Sequence, residues 1–158
     1  RLKLGHEVRL KNAYIIKAND VVKDDSGKIL EIHCTYAEDS KSGSGTEASM
    51  RKVKGTIHWV SIEHALKAEV RLYDRLFTHE APDSDKDKDF KDYINPESLQ
   101  VIPEAFLEPS LENVNPGDHF QFQRLGYFNV DNDSVPGSLV FNRTVALRDS
   151  WARMQQKK

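Results

Sequence analysis

Short runs of alternating apolar and polar residues, separated by turn-forming residues, constrain the fold of this chain more than any other feature. EVRLKNAYIIKA (7–18) and KILEIHCTY (28–36) flank the turn cluster DDSG (24–27), and this spacing predicts a β-hairpin. Further runs follow at intervals of roughly 8–12 residues with Gly, Pro, Asn and Asp between them. We therefore expect an all-β protein of the barrel or sandwich kind.

The first half of the chain contains two segments that fit this pattern less well. AEDSKSGSGTEASM (37–50) is rich in Gly and Ser and predicts a loop without regular structure, after which RKVKGTIHWVS (51–61) resumes strand character. IEHALKAEVRLYDRLF (62–77) fits helical spacing at its start and strand alternation at its end. Its type therefore remains open from the pattern alone.

In the second half, FQFQRLGYFNV (120–130) alternates and is predicted as a strand. Phe120 and Phe122 would face the core, and Gln121, Gln123 and Arg124 the opposite side. LVFNRTVALRDSWAR (139–153) is predicted as a strand that runs into a short helical end.

Cys34 is the only cysteine among the 158 residues, which excludes an internal disulfide and a CxxC zinc site. Its apolar neighbours predict a small core residue, and the scarcity of cysteine favours a reducing compartment, hence the cytoplasm. No apolar run approaches the roughly 20 residues that span a bilayer, and no secretory leader is evident. Because the first residue is Arg1 and not Met, we expect the chain to be cut from a longer protein.

Recognisable catalytic signatures are lacking in the sequence. GSGT (43–46) has no Lys-Ser/Thr of a phosphate-binding loop, and His58 and His64 lack a zinc-ligand spacing. The residues alone favour a binding module and predict no catalytic or metal-binding residue. The cations and carboxamides on the polar strand faces can read unpaired RNA bases, but the residues alone favour ordinary solvated strand positions.

Six ordered motifs carry a specific resemblance, which covers about 145 of the 158 residues. They are EVRLKNAY (7–14), KVKGTIHWVS (52–61), EVRLYDRLF (69–77), INPESL (94–99), FQFQRLGYF (120–128) and VFNRTVALRDSW (140–151). Together they resemble the C-terminal anticodon-binding region of the glutaminyl-tRNA synthetases of bacterial type.

The resemblance implies two β-barrels set end to end, of the ribosomal-protein-like anticodon-binding kind. Residues 1–78 would form the distal barrel, 79–93 a charged linker or loop, 94–152 the C-terminal part of the proximal barrel, and 153–158 a polar tail. In this family an upstream segment completes the proximal barrel, so we expect the second barrel to be incomplete here.

The resemblance also implies recognition of the anticodon of glutamine tRNA. Arg1 would contact the third base, Arg9 and Lys11 would hold the first base, and Gln121 and Arg124 would line the pocket of the middle base. Two positions depart from the family pattern: Lys11 stands where bacterial relatives carry Arg, and Gln123 where they carry Glu. Lysine lacks the planar fork of arginine, and Gln123 removes a negative charge beside Arg124.

The parent protein implied by the resemblance is a class I aminoacyl-tRNA synthetase, a glutamine–tRNA ligase. Its upstream catalytic domain would use ATP with Mg, whereas this chain by itself would need no cofactor. The expected partners are glutamine tRNA and that catalytic domain, with no membrane, no DNA and a monomeric parent. The alternatives are a ribosomal protein that binds rRNA with the same barrel type, an anticodon domain of an archaeal or eukaryotic-type glutamyl-tRNA synthetase, and a protein–protein module.

Overall fold

The computed structural model describes residues 2–147 of the chain. Within this range the backbone divides into two compact units, one ending at Trp59 and the other beginning at Val60. Each unit has its own β-sheet.

The sheet of the first unit contains four strands: β1 (Glu7–Leu10), β2 (Ile15–Lys23), β3 (Ile29–Tyr36) and β4 (Thr56–Ile57). Their order is β3-β2-β1-β4, in which β4 runs parallel to β1 and the other neighbours are antiparallel. The predicted hairpin around residues 24–27 is therefore confirmed. The run 7–18 is two strands instead of one, because Asn12 adopts a φ of 58° and the chain reverses between Leu10 and Tyr14.

The segment predicted as an irregular loop contains regular structure. Glu38–Ser40 is a turn of 3₁₀ helix, and Glu47–Met50 forms the short helix α1. The Thr46 side chain caps α1 by accepting a hydrogen bond from the backbone N–H of Ser49 at 3.1 Å.

The core of the first unit is small and lies under β1 and β2. Val8, Ile15 and Ala18 are buried there, together with the hydroxyl of Ser40. All eight residues of β3 are exposed, Cys34 among them. The prediction that Cys34 is a core residue is therefore wrong, because only β1 and β2 contribute strand residues to this core.

The sheet of the second unit contains five strands: β5 (Leu66–Tyr73), β6 (Leu99–Leu107), β7 (His119–Phe122), β8 (Gly126–Val130) and β9 (Leu139–Ala146). Their order is β6-β5-β9-β8-β7, with β5 and β9 parallel and the remaining pairs antiparallel. The segment 62–77, which fitted both patterns, thus contains the strand β5 in its middle.

One apolar cluster fills the inner face of this sheet. Phe128, Val130 and Phe141 are almost fully buried in it, and Phe122 stacks on Phe128 with 4.4 Å between ring centroids. The inward orientation predicted for Phe120 and Phe122 agrees with this packing, since both lie against the cluster. The helical end predicted after residue 147 lies outside the described residues.

The division between the units differs from the predicted boundary after residue 78. Residues 60–78 lie in the second unit because β5 pairs with β6 on one side and β9 on the other. The charged stretch 79–93 also lies within that unit. It ends in a 3₁₀ helix, Phe90–Tyr93, and the Tyr93 hydroxyl donates to Asp85 at 2.6 Å.

The predicted all-β class is confirmed, since two sheets account for the architecture and α1 is only one turn long. Closure of each sheet into a barrel stays a prediction. Among residues 2–147, no helix combines the length and the apolar character needed to cross a membrane.

Candidate nucleic-acid interface

Arg9 lies in β1, and its guanidinium group is a hydrogen-bonding hub within the first unit. Nη1 donates to Ala13 O (3.3 Å), Ser40 O (2.7 Å) and Ser42 Oγ (3.2 Å), and Nη2 donates to Ser49 O (2.8 Å) and Arg51 O (3.3 Å). Four of these five acceptors are backbone carbonyls, and four belong to the segment 38–51. The planar fork of arginine suits such convergent acceptors, whereas a lysine ammonium would not reach them all.

The side chains of the same segment reinforce the attachment to β1 and β2. The buried Ser40 hydroxyl accepts from the backbone N–H of Ile15 at 2.8 Å and donates to Ala37 O at 2.6 Å. Arg51 forms a bidentate ion pair with Glu7, with Nη–Oε distances of 2.6 and 3.1 Å. This hydrogen bond from Arg51 lowers the pKa of Glu7. The Gly/Ser-rich segment is therefore held in place by the strand that carries Arg9.

Lys11 follows β1 directly and lies where the chain turns toward β2. Its backbone N–H donates to Ile57 O at 2.9 Å, which continues the parallel pairing of β1 with β4. Its carbonyl accepts from the indole Nε1–H of Trp59 at 3.0 Å. Trp59 is 48% exposed as a residue, although its indole nitrogen is hydrogen-bonded within the protein. Lys11 and Trp59 thus lie side by side at one end of the sheet.

Gln121, Gln123 and Arg124 lie on one hairpin, Gln121 in its first strand and the other two at its tip. β7 pairs with β8 from His119↔Asn129 to Phe122↔Gly126, so Gln123, Arg124 and Leu125 form the connecting loop. Arg124 adopts a φ of 65°, a left-handed conformation that is uncommon for a residue with a side chain. The prediction of one strand over 120–130 is therefore wrong, because the backbone reverses at Arg124.

Gly126 closes this loop and permits no side chain. Its φ is 153°, and a Cβ built there would collide with the carbonyl oxygen of Val145 and lie 3.2 Å from Cδ of Arg143. The aliphatic part of Arg143 thus occupies the space beside Gly126. This packing fixes the base of the loop that carries Arg124.

Gln121 points away from the apolar core of the second unit. It is exposed and pairs across the hairpin with Tyr127, whereas its neighbours Phe120 and Phe122 pack inward. A carboxamide here and a guanidinium at the tip of the same hairpin can donate to and accept from base edges. Alternation along β7 correctly predicted the face of Gln121.

A second arginine-centred network lies on the outer face of β5. Arg71 Nε is 2.6 Å from Glu69, and Nη1 is 2.9 Å from Asp133 and 3.5 Å from Asp131. The hydrogen bonds that Arg71 donates to Glu69 and Asp133 raise the pKa of Arg71. Hydrogen bonds from the backbone N–H of Asp133 and from the Asn142 amide lower the pKa of Asp131. Because three carboxylates surround it, Arg71 is neutralised within the protein and is a poor candidate for a phosphate contact.

The predicted site residues fall into two groups. Arg9 and Lys11 lie two residues apart in the first unit, Gln121 and Arg124 lie on one hairpin of the second, and Arg1 lies outside the described residues. A groove of about 520 Å³ in the first unit is lined mainly by Leu2, Leu4, Ile29, Ile32 and other residues that include none of the predicted ones. No pattern in the sequence indicated the hydrogen bond between Trp59 Nε1–H and Lys11 O, because it joins residues 48 apart.

All-β units with cations and carboxamides at strand ends and on a hairpin tip fit the class of RNA-binding β-domains. Residues 1–37 match a family model described as "tRNA synthetases class I (E and Q), anti-codon binding domain", and residues 56–131 match a second model of the same description. The chain belongs to this family of anticodon-binding domains.

Curated relatives agree with this assignment along nearly the whole chain. A glutamine–tRNA ligase of Rhodopirellula baltica is 52% identical over 158 residues, which is 99% of this chain and 26% of the relative. Those of Nitrosomonas europaea and Proteus mirabilis are 53% and 52% identical over 97% and 99% of the chain. The chain spans about a quarter of the length of these relatives.

Proposed function

We propose that this chain recognises the anticodon loop of glutamine tRNA as part of a glutamine–tRNA ligase. The observation that carries the proposal is the identity of 52–53% to proteins of that name over 97–99% of the chain. It favours the glutaminyl over the glutamyl branch of the family and over a ribosomal protein.

Gln121 and Arg124 recognise the middle anticodon base in this proposal. Two features support them: the outward position of Gln121 on β7, and the left-handed backbone that presents Arg124 at the hairpin tip. A left-handed conformation is energetically costly for a non-glycine residue, and such conformations are concentrated at functional sites, where the surrounding structure maintains them. The packing of Arg143 against Gly126 provides such support.

Lys11 contacts the first anticodon base, and Arg1 contacts the third. Arg9 contributes chiefly through the segment 38–51, because its Nη atoms already donate five hydrogen bonds to the protein. A direct contact between Arg9 and the first base stays a prediction from the resemblance.

The whole protein, in this proposal, attaches glutamine to its tRNA with ATP and Mg in a catalytic domain upstream of this chain. It works in the cytoplasm as a monomer, and this chain contributes specificity and not chemistry. Neither a membrane nor DNA is among its partners.

The test measures binding of the chain to an RNA stem-loop with the glutamine anticodon and to one with an altered middle base, at two salt concentrations. Arg124→Ala should remove most of the preference between the two RNAs, worth about 1–3 kcal/mol by analogy with base contacts in DNA. Affinity should fall with salt for both RNAs because cations near phosphate act through counterion release.

A matched control is Lys86→Ala, which removes an exposed cation from the charged loop of the same unit. This variant should keep the preference for the cognate middle base. Equal affinity of the unsubstituted chain for both RNAs would contradict the proposed function.

A further inference from the structure

We propose that the exposed indole of Trp59 is the stacking platform for an unpaired anticodon base beside Lys11. This inference rests on the proposed function and adds a recognition residue to it. Its basis is the placement of the ring within the first unit.

The ring is held in one position by its only polar atom. Nε1–H donates to Lys11 O at 3.0 Å, and this carbonyl belongs to the turn in which Asn12 takes a φ of 58°. The backbone of β4 fixes the position of Lys11, because Ile57 O accepts from the N–H of Lys11 at 2.9 Å. Trp59 therefore cannot turn away from Lys11 without breaking a hydrogen bond.

Trp59 nevertheless remains an exposed residue, with 48% of its surface in contact with solvent. Burying a large aromatic ring is among the strongest stabilising contributions available to a small domain. In the first unit much of Trp59 stays unburied, and its indole N–H instead fixes the orientation of the ring through the bond to Lys11 O. An oriented ring with an exposed surface is what stacking on a base requires.

The charge of the surroundings favours RNA over a protein as the occupant. The segment 51–59 contains Arg51, Lys52 and Lys54 and no acidic residue. Arg51 is neutralised by Glu7, but Lys52 and Lys54 are exposed on the approach to β4. An aromatic platform in a segment whose charged residues are all basic matches the combination of stacking and backbone attraction used for single-stranded RNA.

Fluorescence provides the test, because the chain contains only two tryptophans. In a Trp151→Phe background, Trp59 is the sole indole emitter, and titration with the glutamine anticodon stem-loop should quench it. A stem-loop with an abasic first anticodon position should quench it much less. Trp59→Leu should weaken binding by about tenfold, whereas Trp59→Phe should keep most of the affinity because a phenyl ring still stacks.

Trp151→Phe with Trp59 intact is the matched control and should bind like the unsubstituted chain. Circular dichroism of Trp59→Leu checks its folding, and the abasic RNA tests the inference on the natural ring. Specific binding with equal quenching by both RNAs, or with unchanged affinity of Trp59→Leu, overturns the stacking role and favours a protein-facing ring. Failure of the unsubstituted chain to prefer the cognate middle base overturns the proposed function as well, which separates the two outcomes.

Discussion

Arg9 and Arg124 were both predicted to contact anticodon bases, yet their surroundings in the two units differ. Arg9 extends from a regular strand and donates five hydrogen bonds to its own protein. Arg124 lies in a three-residue loop in a left-handed conformation, at the tip of a hairpin. The hydrogen bonds of Arg9 stabilise the fold around it, whereas the left-handed backbone of Arg124 has an energetic cost. Two arginines that match binding motifs thus lie in very different surroundings.

The largest expected effect is on the stability of the first unit. Arg9→Ala removes the guanidinium donor from the partly buried carbonyls of Ser40 and Ser49 and should lower the free energy of unfolding by about 2–4 kcal/mol. Arg9→Lys should be nearly as harmful, since an ammonium lacks the planar fork. Chemical denaturation measures the loss, and hydrogen exchange should show the segment 38–51 opening first.

The lysine variant discriminates between the two roles of Arg9. It retains the positive charge, so a purely electrostatic role toward RNA would leave stability unchanged and affinity nearly so. That result would contradict the role of Arg9 as a structural hub.

A smaller effect is expected at Arg124, where the backbone takes a φ of 65°. Arg124→Gly and Arg124→Ala both remove the side chain, but only glycine adopts positive φ without strain, so the free energy of unfolding of Arg124→Gly should exceed that of Arg124→Ala by up to about 1 kcal/mol. The RNA discrimination of Arg124→Gly should nevertheless fall as far as that of Arg124→Ala. Thermal denaturation and stem-loop binding of the same preparations measure both quantities.

Substantial destabilisation by both Arg124 variants would show that this arginine, like Arg9, serves the scaffold. The comparison between the two units would then fail. Leu125→Ala, an exposed neighbour in the same loop, is the control for unspecific loop effects.

Local patterns in the sequence predicted the all-β class, the hairpin around residues 24–27 and the face of Gln121, since each depends on alternation or turn residues within a few positions. The hub around Arg9 could not be predicted, because its acceptors lie up to 42 residues away and four of them are backbone atoms. The division of the backbone into two units after Trp59 could not be predicted for a similar reason. Pairing of β5 with β9 joins residues about 70 apart, and no local pattern of β5 reveals it.

The hairpin at Arg124 shows a second reason why prediction from the sequence failed. FQFQRLGYFNV alternates well enough to read as one strand, and only the glycine at 126 hints at a reversal. Glycine is required at position 126 because a side chain there would meet the carbonyl of Val145 and the side chain of Arg143, which are distant in sequence. The motif resemblance correctly indicated the family but carried no information on backbone conformation.

The smallest expected effect concerns pH and the attachment of the segment 38–51 to β1. The pKa of Glu7 is lowered from the ordinary 4.5 by its hydrogen bond from Arg51. A carboxylate with a lowered folded-state pKa contributes stability above its unfolded pKa and loses it as the pH falls through the folded value. Glu7→Gln should therefore lower the midpoint of thermal unfolding slightly at neutral pH, and the difference from the unsubstituted chain should shrink below pH 4.5.

Both side chains of this pair are more than one third exposed, so the effect should be small and should weaken with salt. Calorimetry at several pH values and two salt concentrations measures it. A difference that persists in acid would show that Glu7 acts through packing and not through its charge. In that case Arg9, whose acceptors include the carbonyl of Arg51, would hold the segment without help from the ion pair.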